Sequence, residues 1–120
     1  MKKFLILLMV MFSLPVFASE YEKAISQGGN IFLYFYSPTC TSCDKFNPTY
    51  YDIQKNHKEF KYVKINVESN EGIRLIRKYH GYYIPFLIIT NPKLHKTVSI
   101  PTVCAMNDMC LERVIKSFNK

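Results

Sequence analysis

Apolar positions along this chain recur with two different periods, and the switches between those periods mark out its elements. Glu20 to Gln27 carries Tyr21, Ala24 and Ile25 on one side, which predicts a short amphipathic helix, and Gly28-Gly29 ends it. Ile31 to Tyr36 is an unbroken run of six apolar and aromatic residues, as expected of a strand buried on both faces. Ser37-Pro38 closes that strand, because proline cannot donate to a ladder. From Cys43 the period becomes helical, with Phe46, Tyr50 and Ile53 at spacings of three and four, so a helix is predicted from Thr41 to His57, kinked at Pro48. Lys61 to Val67 alternates, with Val63, Ile65 and Val67 against Lys64 and Asn66, which predicts a second strand.

The second half reads the same way. Asn70 is the expected N-cap of a helix through Tyr79, with Ile73, Leu75, Ile76 and Tyr79 inward and Gly81 as the stop. Phe86 to Thr90 is a buried strand with proline just ahead of it, Asn91-Pro92-Lys93 a turn, and Lys96 to Ile100 the return strand of a hairpin. Pro101 to Met106 reads as loop. Asn107-Asp108 caps a last helix to Phe118, with Leu111, Val114, Ile115 and Phe118 on its inner face. The first two strands, joined by a helical crossover, are parallel, and the last two form an antiparallel hairpin. The expected architecture is a mixed four-stranded α/β sheet with helices on both faces.

The N-terminus falls outside this pattern. Lys2-Lys3 precedes the apolar run Phe4 to Phe12, and Val16 and Ala18 suit cleavage after Ala18. The run is about half the roughly 20 residues a bilayer span needs. Residues 1–18 are therefore expected to be a cleaved signal peptide and residues 19–120 one domain, exported to the periplasm. The formal net charge is +7. Beyond Lys2 and Lys3 its lysines are scattered from Lys23 to Lys120 rather than gathered in an arginine-rich stripe, which argues against nucleic acid as a partner.

Export changes the reading of the cysteines, because an oxidising compartment permits disulfides. Cys40 and Cys43 stand where the first strand passes into a helix. A cysteine at a helix N-terminus meets unpaired N–H groups and the positive end of the helix dipole, which favour the reactive thiolate. A second thiol one turn on can close a disulfide with it. The alternatives are a purely structural disulfide and a zinc site, and the latter needs Cys104 and Cys110 to converge on the pair, at spacings unlike a zinc ribbon.

Cys104 and Cys110 have three readings. They form a structural disulfide between the last loop and the last helix, or a second dithiol, or, with Met106 and Met109, a set of sulfur ligands suited to Cu(I). His57 and His80 end helices, and His95 stands alone. Tyr82 and Tyr83 are either exposed beside a binding groove or partly core.

Taken together, these residues resemble the thioredoxin-like superfamily. Cys40-Thr41-Ser42-Cys43 follows a strand, Pro48 sits five residues past the second cysteine, Val63-Lys64-Ile65-Asn66-Val67 looks like the family's central strand, and Ile84-Pro85 stands where the family has its cis-proline. The resemblance covers nearly the whole chain after residue 18 and corresponds to the minimal four-stranded version of the fold. It implies that Cys40 is the nucleophile and Cys43 the resolving thiol. It also implies a substrate groove formed by Thr39, Tyr83, Ile84 and Pro85, bordered by the loop that carries Cys104. Three departures stand out. Thr39 replaces the usual tryptophan, Thr41-Ser42 replaces Gly-Pro or Pro-His, and Tyr34 stands where thioredoxin keeps a buried carboxylate, leaving the neighbouring Lys64 without its partner.

The function expected is an exported thiol–disulfide oxidoreductase, a monomer without organic cofactor. It would exchange with cysteine-bearing exported proteins and with a membrane or periplasmic redox partner. The alternatives are a non-catalytic module of an envelope or conjugative pilus assembly machine, which the strand-turn-CxxC start also resembles, and a Cu(I) chaperone.

Overall fold

The computed structural model describes residues 18–120. The expected signal segment lies outside the described residues, apart from Ala18.

Helix α1 spans Glu20–Gln27; Ser19 caps it, its hydroxyl accepting the N–H of Glu22 at 3.1 Å. It buries Tyr21 and Ala24 and stops at Gly28, whose φ of 74° only glycine adopts cheaply. Strand β1 (Asn30–Tyr36) follows, with Ile31 to Phe35 fully buried. Helix α2 (Thr41–Asn56) turns Cys43, Phe46, Tyr50 and Ile53 inward and contains Pro48, which removes one helical donor. Strand β2 (Phe60–Asn66) pairs parallel with β1, from Asn30 opposite Phe60 to Tyr36 opposite Asn66. After helix α3 (Asn70–Lys78), strand β3 (Phe86–Asn91) pairs antiparallel with β1, Tyr34 lying opposite Leu87. A short 3₁₀ turn, Pro92–Leu94, leads into β4 (Lys96–Ile100), the return strand of the hairpin. The strand order is β2-β1-β3-β4.

Alternation along β1 builds two cores. Phe32 and Tyr34 face α2 and the final helix α5 (Asp108–Phe118), where they meet Phe46, Tyr50, Leu111 and Ile115. Ile31, Leu33 and Phe35 face α1 and α3, where they meet Tyr21, Ala24 and Leu75. The sheet is thus the middle layer of three, as the apolar run of β1 requires.

Four local expectations need correction. The cap of α3 is Ser69, whose hydroxyl accepts the N–H of Gly72 at 2.9 Å, and Asn70 is the first helical residue. The left-handed residue that ends α3 is His80 (φ 59°), not Gly81. His80 donates its N–H to Arg77 O and Gly81 donates to Ile76 O, the paired bonds of a Schellman ending. Gly81 is needed for closeness instead: a Cβ there would stand 2.6 Å from the Phe86 ring and 2.7 Å from Ile76. Ile73, expected inward, is exposed, because Gly72 and Leu75 take the buried positions. Finally, the expected loop after β4 contains a one-turn helix, α4 (Thr102–Ala105), which buries Cys104 and Ala105.

The aromatic core carries a pH dependence. Burial, the largest cause, pushes the Tyr34 phenol up to about 12, with the Asp44 charge adding to it. Burial also raises Tyr50, Tyr62 and Tyr79 well above their ordinary range. Unfolded tyrosines lose their protons near pH ~10 while these stay protonated in the native state. The native state then holds more protons, so the contribution of these tyrosines to stability is fully present below about pH 10 and is lost as pH rises further. Urea midpoints should be flat between about pH 7 and 9 and fall steadily by about pH 11. A midpoint unchanged at the alkaline end would contradict this account of the core.

Candidate active site

The site grows out of the end of β1. The strand stops at Ser37-Pro38, and the Cys40 N–H returns to the Ser37 carbonyl at 3.2 Å, a tight turn. Cys40 then takes the N-cap position of α2 in extended conformation (φ −87°, ψ 109°). Its Sγ accepts the backbone N–H of Cys43 at 3.0 Å. A sulfur in this place receives a helix-terminal donor and the positive end of the dipole, both of which favour the thiolate once the pair is reduced.

Cys40 and Cys43 are joined as a disulfide, with Cα atoms 5.2 Å apart. The two sulfurs are not equivalent. Cys43 is 1% exposed, whereas Cys40 is half-buried at the surface. An incoming group therefore reaches Cys40 first.

Beneath the pair lies Tyr34, fully buried on β1. Its hydroxyl donates to Asn47 Oδ1 at 2.8 Å and approaches the Cys43 carbonyl at 3.2 Å. Held neutral to about 12, this phenol is a hydrogen-bond donor and not a base near neutral pH. Lys64, opposite Tyr34 in the β1–β2 ladder, lays its ammonium 4.3 Å from the ring centroid of Tyr36 and 5.7 Å from that of Tyr34. Its partners here are aromatic faces.

Opposite Cys40 lies the segment that enters β3. The Ile84–Pro85 peptide bond is cis, and the Ile84 carbonyl oxygen stands 3.9 Å from Cys40 Sγ. Pro85 is buried. Tyr82 and Tyr83 are 86% and 78% exposed, so neither belongs to the core. Val67, Ile76, His80, Gly81, Tyr82 and Ile84 line an adjoining cleft of about 600 Å³.

Thr39 is tied in the other direction. Its hydroxyl lies 3.0 Å from Ser37 Oγ and 3.4 Å from Glu68 Oε1, and the Ser37 hydroxyl donates to the same carboxylate oxygen at 2.9 Å. Ser37, Asn47 and Glu68 are site residues that the sequence reading missed. Asn47 lies one helical turn past Cys43, which is a usable signal, but the Glu68 contact spans the β1–β2 crossover and has none.

Cys104 and Cys110 form the second disulfide, Cα atoms 5.3 Å apart. Cys104 is buried in the same core as Cys43. Met109 and Met106 project outward, 75% and 44% exposed. Among the described residues, no group of three or more His, Cys, Asp or Glu side chains is placed to hold a metal ion. His57 lies between Glu59 Oε1 at 3.2 Å and the Glu112 carboxylate at 3.1 Å, at the far end of α2 from the cysteines.

Solved structures share this architecture. An oxidised thioredoxin from Plasmodium falciparum superposes with a TM-score of 0.66 at 20% identity, over 85% of this chain and 92% of its own. Fasciola hepatica thioredoxin gives 0.67 at 23% identity, over 81% and 89%. Oxidised mitochondrial thioredoxin 3 from Saccharomyces cerevisiae gives 0.67 at 19% identity, over 82% and 87%. No curated protein sequence matches the chain significantly. At such identities the superpositions speak for the fold. Membership rests on sequence: the family model described as Thioredoxin matches residues 13–107, most of the chain and all of the strand-to-CxxC-to-cis-proline frame, and the chain belongs to the thioredoxin family.

Proposed function

We propose that the protein is an exported thiol–disulfide oxidoreductase acting on cysteines of other envelope proteins. The observation that carries this reading is the asymmetry of the pair: Cys40 Sγ sits accessible on a helix N–H at 3.0 Å while Cys43 is buried behind it. In the reducing direction, the Cys40 thiolate attacks one sulfur of a substrate disulfide, and the other substrate sulfur leaves as a thiolate. The Cys43 thiolate then attacks Cys40 Sγ. The second substrate sulfur leaves, the Cys40–Cys43 disulfide closes, and two electrons have passed to the substrate. Oxidation of a substrate dithiol is the same sequence reversed. The direction is set by the potential of the pair and by a membrane or periplasmic redox partner. The incoming chain would lie along Tyr83, Ile84 and Pro85, beside Cys40, with Thr39 at the edge of the contact.

A second reading is favoured by Tyr34. A phenol held neutral to about 12 takes no proton from Cys43 near neutral pH, so a mixed disulfide is resolved slowly. Slow release suits a docking module of an assembly machine better than rapid turnover.

Insulin reduction in the presence of dithiothreitol tests the activity. The wild-type protein should accelerate precipitation, Cys40→Ser should abolish the acceleration, and brief iodoacetamide treatment of the reduced protein should label Cys40 before Cys43. An unaccelerated reaction, or labelling in the reverse order, removes the proposed role.

Tyr34→Asp tests the second reading. A carboxylate at that position would be a better-placed base, and release of a Cys40-linked mixed disulfide should quicken at least about tenfold near neutral pH. The same change should cost about 2–4 kcal/mol of stability, because it empties an aromatic site and buries a charge. An unchanged release rate would show that proton transfer already has another route.

Export is checked by the N-terminus of the protein recovered from cells. It should begin at Ser19, which leaves the capping residue of α1 intact. A recovered chain that still begins at Met1 and stays in the cytosol would rule out this localisation.

A further inference from the structure

The one-turn helix α4 is too short to hold itself, since a single turn fixes several residues for one hydrogen bond. Pro101 gives it no side-chain cap. It is held from outside, at both ends. At one end Cys104 is bonded to Cys110, which lies in the first turn of the eleven-residue helix α5. The side chain of Asn107 fixes that turn by accepting the Cys110 N–H at 3.0 Å. At the other end Thr102 donates its hydroxyl to the carbonyl oxygen of Pro85 at 3.0 Å. Pro85 is buried, and the residue before it carries the carbonyl that stands 3.9 Å from Cys40 Sγ. A continuous path therefore runs from α5 through the second disulfide, α4, Thr102 and Pro85 to the reactive sulfur.

We propose that Thr102 is a positioning residue for the exchange at Cys40, and that the Cys104–Cys110 disulfide serves to hold Thr102 in place. The inference rests on the oxidoreductase reading above and deepens it. Removing the hydroxyl leaves the Pro85 carbonyl without its donor, and the segment Tyr83–Pro85 loses its fixed distance from Cys40. A small disulfide needs only the sulfur of Cys40. A polypeptide must also lie along that segment, so it alone should sense the change. The alternative role of the disulfide, general stabilisation, is modest because the loop it closes is short.

The test compares insulin with oxidised glutathione as substrates of the full chain. Thr102→Val should raise KM for insulin about fivefold, the worth of one ordinary hydrogen bond, with kcat held within about twofold. The rate with oxidised glutathione should be unchanged. Thr102→Ser, which keeps the hydroxyl, should restore the insulin KM. The double variant C104A/C110A should raise KM as Thr102→Val does, and adding T102V to it should raise KM no further, because both changes break the same path. An unaltered KM in Thr102→Val, equal losses with both substrates, or additive effects in the triple variant would each overturn the inference while leaving the oxidoreductase reading in place. A wild-type protein that reacts with neither disulfide would overturn both.

Discussion

Burial of β1 on both faces is the constraint from which the rest follows. Ile31 to Phe35 have no exposed side, so the strand must lie inside the sheet and a helical layer must cover each face. A strand so placed delivers its C-terminal end to one fixed point, and that point is where Ser37-Pro38 turns the chain into α2. Cys40 owes its position to this. Its sulfur caps a sixteen-residue helix whose direction is locked by Phe46, Tyr50 and Ile53 against Phe32 and Tyr34. The chemistry is local, but the geometry that permits it is set by five buried residues of one strand.

The same strand explains the departure beneath the disulfide. Tyr34 is one of the largest fully buried side chains and packs edge-on against Phe46 and Tyr50, ring centroids 5.0 and 4.8 Å away. An aromatic ring there adds packing that a carboxylate cannot supply. Its hydroxyl finds Asn47, so the polar end is satisfied without a charge. The arrangement favours a rigid floor over a proton acceptor.

What could be read in the sequence divides along a physical line. Elements with a long period were legible: α1 and β4 have the expected bounds, and the ends of β1, α2 and β2 differ by one residue, because burial forces the pattern. The reactive pair was legible for a similar reason, since its spacing and its place after an apolar run are local facts. Contacts that close over long separations were not. Thr102 reaches Pro85 across seventeen positions and Glu68 reaches Ser37 across thirty-one. The ending of α3 departs from its sequence pattern for a subtler reason. Two residues competed for the left-handed position, and the glycine was required elsewhere, under the Phe86 ring, which left that backbone conformation to His80.

All four cysteines belong to a single side of the sheet. Cys43 and Cys104 are buried in the layer formed with α2 and α5, Cys40 and Cys110 pack against that layer, and among the described residues the core formed with α1 and α3 contains no sulfur. The molecule is therefore chemically two-sided. A change in the redox state of the surroundings meets cysteines on one face only, while the other face coheres through packing alone, Tyr21, Ile31, Leu33, Phe35, Ile65 and Leu75 among its residues. That division keeps the bonds that thiol exchange can break apart from the second layer of packing that holds the sheet.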